Sequence, residues 1–245
     1  MASQTTRKRL SFGVMKRVAL SAVAANVPVP ENAVTRYVEL SHMKRLLDRL
    51  RINCVFDVGA NRGQFAMELR RIGFRGRIVS FEPVQSEFDA LARTFARDAA
   101  WKGLPIALGS ANGTATMNVI PSQTVMSSLL QPSGPWPNVE TQTVSVKRLD
   151  DVAVDLLAGL ADPRVMLKMD TQGFDLEVFA GAQGCLASVC ALQSEISVVP
   201  AYKGMPHYLD ALRIYGNAGF HLVNLAVVAR TDEGALQELN CLMSR

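Results

Sequence analysis

The stretch that most narrows the range of folds open to this chain is VFDVGANRGQF at residues 55–65. An apolar run carrying one acid, Asp57, breaks at Gly59, passes Asn61 and Gly63, and resumes as a helical pattern from Gln64 to Gly73. Strand, glycine turn and helix in immediate succession form the opening of a βα unit, whose next strand runs parallel to the first. The sequence supplies that strand at 76–83 and a further helix at 86–98.

The alternation continues downstream. Residues 104–110 read as a short strand, 111–120 as a polar hairpin-like region, and 141–151, by apolar and polar alternation, as a strand with one exposed face. Strands follow at 164–170, 192–198, 220–225 and 237–245, with helices at 174–182 and 207–219 between them. Upstream, Val38, Leu40, Met43, Leu46, Leu47 and Leu50 recur at three- and four-residue spacing, which predicts an amphipathic helix over 33–51. The expected fold is α/β, a three-layer domain with a mostly parallel sheet that ends in antiparallel strands. Residues 1–50 read as an N-terminal helical extension and 51–245 as one domain, without an internal repeat. The irregular Pro- and Ser-rich segment 121–140 is a candidate lid loop.

With 245 residues, 49% of them apolar, the chain can bury one substantial core without disulfides or metal. Cys54, Cys185, Cys190 and Cys241 form no C-x-x-C pair and have no histidine at zinc-finger spacing, so they read as small core residues of a reduced, cytoplasmic protein. The net charge of +4 owes much to Arg7, Lys8, Arg9, Lys16 and Arg17, which marks a basic tail and argues against a nucleic-acid partner. The apolar run from Val18 to Ala25 is too short to span a bilayer. A helix packed on the domain, or an amphipathic stretch making peripheral membrane contact through the basic N-terminus, is expected there instead.

At the end of the first strand of such a sheet, backbone N–H groups and permissive glycines form a ligand crevice. A dinucleotide fingerprint begun at Gly59 requires glycine at 61 and 64, where the chain has Asn61 and Gln64; a phosphate loop is missing its G-K-[ST]. A nucleotide-type cofactor without a pyrophosphate remains. Asp57 and Glu82 stand at the ends of the first two strands, and a carboxylate at the second position can accept both hydroxyls of a ribose. S-adenosylmethionine meets these demands, with its amino-acid part over Gly59, Asn61 and Gly63 near Asp57, its ribose at Glu82, and its adenine against Ala107 and Leu108. The plainer alternative is that both acids cap strand ends and the glycines only turn the chain.

The chain resembles the FkbM family of class I S-adenosylmethionine-dependent methyltransferases. The resemblance is carried by VFDVGANRGQF (55–65), IVSFEPV (78–84), MSSLL (126–130), VKRLDDV (146–152), MLKMDTQGFDLEVFAGA (166–182), LQSEIS (192–197), PAYKGM (200–205) and GFHLVNL (219–225). It implies a Rossmann-like class I methyltransferase fold and transfer of a methyl group to a hydroxyl oxygen, on a sugar of a secondary metabolite or a cell-envelope glycolipid. Many relatives carry an aspartate in the last strand where this chain has Asn240, so the resemblance assigns no acid or metal-ligand role there.

Methyl transfer to a hydroxyl requires held geometry and a route for the proton. Asp170 ends the fourth strand of the expected sheet and is the first candidate for base or metal ligand; Glu195, at the neighbouring strand, can join it in binding Mg²⁺ or acceptor hydroxyls. His207 offers an imidazole for proton transfer, though a solvated residue at a helix start is the plainer reading, as pairing with Lys168 or Arg148 is for the carboxylates. His42 and His221 read as structural, and Tyr202 and Trp136 offer faces to a sugar ring or to their neighbours. A small-molecule or glycolipid acceptor is expected, and a homodimer is left open. Two other classes compete: a nicotinamide-dependent oxidoreductase, disfavoured by Asn61 and Gln64, and a catalytically degenerate methyltransferase-fold binding protein, which Asn240 favours.

Overall fold

The structure, a computed structural model, describes residues 31–245; the basic tail and apolar run of 1–30, with the membrane contact expected of them, lie outside the described residues. Helix α1 (Glu31–Arg49) leads into a succession of strands and helices. These are β1 (Cys54–Val58), α2 (Gln64–Arg71), β2 (Arg77–Phe81), α3 (Gln85–Phe95) and β3 (Trp101–Leu104). After an excursion, β7 (Val165–Met169), α5 (Asp175–Ala180), β8 (Val189–Ser197), α6 (Tyr208–Asn217), β9 (His221–Arg230) and β10 (Leu236–Ser244) complete the main sheet. Its strand order is β3-β2-β1-β7-β8-β10-β9, with β10 antiparallel to both neighbours and the other pairings parallel. The α/β reading and the antiparallel C-terminal strand therefore stand.

Both faces of the central strands are covered, which is why VFDV and VMLKM read as near-continuous apolar runs. On one face, Phe56, Val58, Phe81, Leu167 and Leu192 pack against Leu149, Val178, Phe179 and Tyr215. On the other, Val55, Ile78 and Met166 pack against Leu46 and Leu47 of α1, Leu69 of α2 and Leu91 of α3. Burying a side chain of this size contributes roughly 1.5–3 kcal/mol, so the two clusters dominate the stability of the fold.

The excursion between β3 and β7 departs from the sequence reading. Residues 104–110 are split between the end of β3 and a two-residue strand, β4 (Ala107–Leu108). The stretch read as a hairpin around 111–120 is one strand, β5 (Gly113–Val119), whose partner is β6 (Glu140–Lys147) across the whole intervening loop. These three strands form a separate small sheet, order β4-β6-β5. The strand expected over 141–151 ends at Lys147, and α4 (Leu149–Leu157) begins at once with Asp150 and Asp151 in its first turn, where acids suit the helix dipole. Leu149, Ala153 and Leu156 face the core at helical spacing; strand alternation before them masked the change of period. Among the described residues, no helix is long and apolar enough to cross a membrane.

Candidate functional site

The carboxyl ends of β2, β1 and β7 lie side by side, and the turn after β1 is drawn hard against the turn after β7. Gly59 has φ +72°, and a Cβ there would overlap the Asp170 carbonyl. Asn61 also adopts a left-handed φ, +46°, which the turn needs and asparagine tolerates. Gly63, at φ +86°, opens α2 under α3: a Cβ there would stand 2.7 Å from Leu91 Cδ1.

This geometry leaves a cleft along the sheet edge. Gly59, Asn61 and Glu82 form one wall, Ile106, Ala107 and Leu108 a second, and Asp170, Thr171 and Phe174 a third. Thr124, Ser127 and Leu129 of the expected lid segment also line it, and Asn61 Nδ2 donates to Thr124 Oγ1 at 3.2 Å. Half of that segment is thus fastened to the site: Asn118 and Ser128 exchange backbone hydrogen bonds of 2.8 and 3.0 Å, whereas residues 133–135 and 137–140 are exposed.

Glu82 is 4% exposed, yet it lines the cleft. Its Oε2 accepts the Asn61 N–H at 2.7 Å and its Oε1 the Val84 N–H at 2.8 Å, so the carboxylate is locked while each oxygen keeps a free lone pair. Burial pushes its carboxyl up to about 7, against the pull of those two N–H groups.

Asp57 does not line the cleft. It is fully buried beneath the turn, where Lys168 Nζ lies 3.2 Å from Oδ1 and Ser80 Oγ 3.4 Å from Oδ2. Lys168 also donates to the Gly59 carbonyl at 3.1 Å and lies 3.4 Å from Asp170 Oδ2. Burial opposes its charge, but Asp57 and Asp170 outweigh that and hold it above the ordinary lysine range. Lys168 is thus the brace of the turn. Sequence reasoning assigned it only as a partner for the acids; the signal available was a lysine inside the apolar strand VMLKM.

Asp170 stands at the cleft, half-exposed. Glu195 lies beyond it on β8, joined through Gln172: the Nε2 amide donates to Glu195 Oε2 at 2.7 Å and reaches Asp170 Oδ1 at 3.4 Å. Burial, followed by the charges of Asp170, Glu238 and Asp175, pushes the Glu195 carboxyl well above its usual range. The two acids do not fit a shared Mg²⁺, because an N–H donor occupies the position between them where a cation requires oxygen ligands. Among the described residues, no group of three or more His, Cys, Asp or Glu side chains is placed to hold a metal.

His207 is the N-cap residue of α6, half-buried, with its ring against Tyr208 at 4.5 Å; it is not among the residues lining the cleft. Trp136 and Tyr202 pack on each other, ring centroids 5.4 Å apart. Asn240 lies opposite Glu195 in register but beneath α1, with Arg36, Glu39 and Met43 around the same small cavity.

A family model described as the methyltransferase FkbM domain matches residues 57–222. No curated protein matches the sequence. Among solved structures, the chain is similar to magnesium protoporphyrin IX methyltransferase from Synechocystis with bound SAM, at 11% identity and TM-score 0.47, over 98% of this chain and 100% of that one. It is also similar to precorrin-6y C5,15-methyltransferase from Geobacter metallireducens, at 12% identity and TM-score 0.43, over 82% and 85%. A third similarity is to Aeropyrum pernix fibrillarin in complex with natively bound S-adenosyl-L-methionine, at 10% identity and TM-score 0.45, over 78% and 66%.

Proposed function

The chain belongs to the FkbM methyltransferase family, and on that premise we propose that it is an S-adenosylmethionine-dependent O-methyltransferase acting on a hydroxyl of a sugar, in a glycolipid or a secondary metabolite. The observation that carries the cofactor assignment is Glu82: a buried carboxylate with both oxygens oriented by backbone N–H groups and lone pairs turned to a half-apolar cleft. That arrangement suits a ribose diol, and the wall of Ile106, Ala107 and Leu108 suits an adenine beside it. Gly59 and Asn61 offer close backbone approach for the amino-acid part, while Asp57 and Gly63 act from below, through Lys168 and through the packing of α2 on α3. Family membership leaves the nicotinamide reading without support.

The bound cofactor supplies an electrophilic methyl carbon. What the protein adds is position and a proton route. Asp170, half-exposed at the cleft and held 3.4 Å from Lys168, accepts the proton of the acceptor hydroxyl in this reading. The apolar walls and the Thr124–Leu129 segment keep water from the reacting atoms. Glu195 and His207 lie farther along the same edge and are proposed to meet the rest of the acceptor, without a metal. A reduced, cytoplasmic setting accords with four free cysteines.

The test is a calorimetric titration with S-adenosylmethionine, followed by incubation with a panel of hydroxylated sugars and glycolipids. A mass gain of one methyl group, placed on oxygen by fragmentation, is expected. Failure to bind the cofactor would leave a binding protein of methyltransferase fold; transfer to carbon or nitrogen would overturn the O-methylation reading.

A further inference from the structure

Gln172 has φ +53°, in the left-handed region that strains most side chains, and it is buried. Glycine would sit there without that strain, so what glutamine brings to the position is its amide. Four connections meet at this one residue. The Nε2 donates to Glu195 Oε2 at 2.7 Å and reaches Asp170 Oδ1 at 3.4 Å. The Tyr202 hydroxyl donates to the Met126 carbonyl at 2.7 Å and shares the same proton with Gln172 Oε1 at 3.1 Å. The Gln172 carbonyl accepts from Ser128 Oγ at 2.7 Å.

The two segments reached in this way are themselves joined. Lys203 N–H donates to the Gln131 carbonyl at 2.8 Å, Ser133 N–H donates to the Ala201 carbonyl at 2.9 Å, and Pro132 bridges Tyr202. Residues 126–133 and 201–205 therefore form one flap. We infer that Gln172 is a positioning residue whose side-chain amide fastens this flap to the carboxylates at the sheet edge and so sets the wall on the acceptor side of the cleft. The assignment of that side rests on the reading of Asp170 given above; the fastening itself does not.

The amide works here because it is neutral and has both a donor and an acceptor end. The charged and titratable groups around the Glu195 carboxyl it touches are Asp170, Glu238 of β10, Asp175 of α5, Lys168 of β7 and the Tyr202 hydroxyl. A further carboxylate in that company would be repelled, and it would accept the Tyr202 hydroxyl while offering nothing to Glu195.

Hydrogen–deuterium exchange on the full chain carries the test, with Gln172→Gly, Gln172→Ala and Gln172→Glu. In the glycine and alanine variants, peptides covering 126–133 and 201–205 are expected to exchange about 10- to 100-fold faster, the loss expected for one to two hydrogen bonds to charged or buried partners. Peptides of β1 and β7 should not change. Since glycine relieves the backbone strain, its loosened flap cannot be ascribed to a strained fold. Gln172→Glu keeps the length and shape of the side chain: its flap should be open at neutral pH and close again as the pH falls and the new carboxyl takes a proton, a pH dependence the wild type does not share. Wild-type exchange in the flap of both the glycine and alanine variants would overturn the inference, and so would a Gln172→Glu flap that stays closed at every pH. None of these readouts needs an acceptor, so a wild-type protein that transfers no methyl group would sink the functional reading and still leave the fastening decided. With an acceptor in hand, Gln172→Gly should raise its KM; unchanged kinetics behind a loosened flap would refute the positioning role.

Discussion

At the scale of single residues, Glu82 and Asp170 carry the chemistry of the site. Glu82 is the most directly testable. Replacing it by alanine is expected to weaken S-adenosylmethionine binding by about 10- to 100-fold, the cost of a charge-assisted pair of hydrogen bonds, while the protein stays folded; calorimetry decides. Its carboxyl at about 7 adds a pH signature. Ribose hydroxyls donate to the ionised form, so affinity should climb by up to about tenfold per unit as the pH rises toward 7, then level off. For folding the sign is opposite: the native state takes up this proton more readily than the unfolded chain, so the contribution of Glu82 to stability falls as the pH rises from the ordinary glutamate range to about 7. Asp170→Asn, which keeps shape and removes charge, should abolish turnover and leave cofactor affinity nearly intact, because the side chain is tied to Lys168 and Gln172 and not to Glu82. Near-normal turnover in that variant would overturn the role of Asp170 as base.

At the scale of elements, the turn after β1 and the segment before β6 matter most. Gly59→Ala combines a positive φ with direct overlap on the Asp170 carbonyl, a backbone atom that cannot move without parting β1 from β7. Loss of soluble, folded protein is the expected result, and a thermal melt like that of the wild type would contradict the close approach described here. The segment 121–140 was legible as irregular from its Pro and Ser content, but the sequence gives no sign that it divides in two. Thr124, Val125, Ser127 and Leu129 line the cleft, and Thr124 is hydrogen-bonded to Asn61, whereas 137–140 stand exposed. Limited proteolysis should therefore cut within 134–140 and spare 126–130, with protection of the outer half when cofactor and acceptor are both present. Cutting at 126–130 in the unliganded protein would show that the inner half is not fastened. Helix α4 was hidden for a similar local reason, since the alternating residues of β6 run into it with no glycine or proline between.

At the scale of the whole molecule, Lys168 joins what the two halves of the chain bring together. Lys168→Met leaves Asp57 buried without its cation and should cost about 3–5 kcal/mol of stability in urea unfolding, much more than a surface ion pair. The sequence by itself determined the order and type of most elements, because period and punctuation are local properties: apolar runs for strands covered on both faces, glycine turns, and helical spacing in α1, α2 and α6. It also put Gly59, Glu82 and Asp170 at strand ends, which in a parallel sheet is enough to bring them to one edge. What it left open were matters of pairing. Asp57 and Glu82 look equivalent along the chain, yet β1 lies between β2 and β7, so the Asp57 side chain meets Lys168 under the turn while Glu82, one residue past the end of its strand, turns into the cleft. The small sheet of β4, β5 and β6, and the meeting of Met126, Gln172, Glu195 and Tyr202, depend on contacts across many intervening residues. Only tertiary structure decides these, because a side chain's charge and hydrogen-bonding capacity are written in the sequence, whereas its partner is chosen by the packing of the core that carries it.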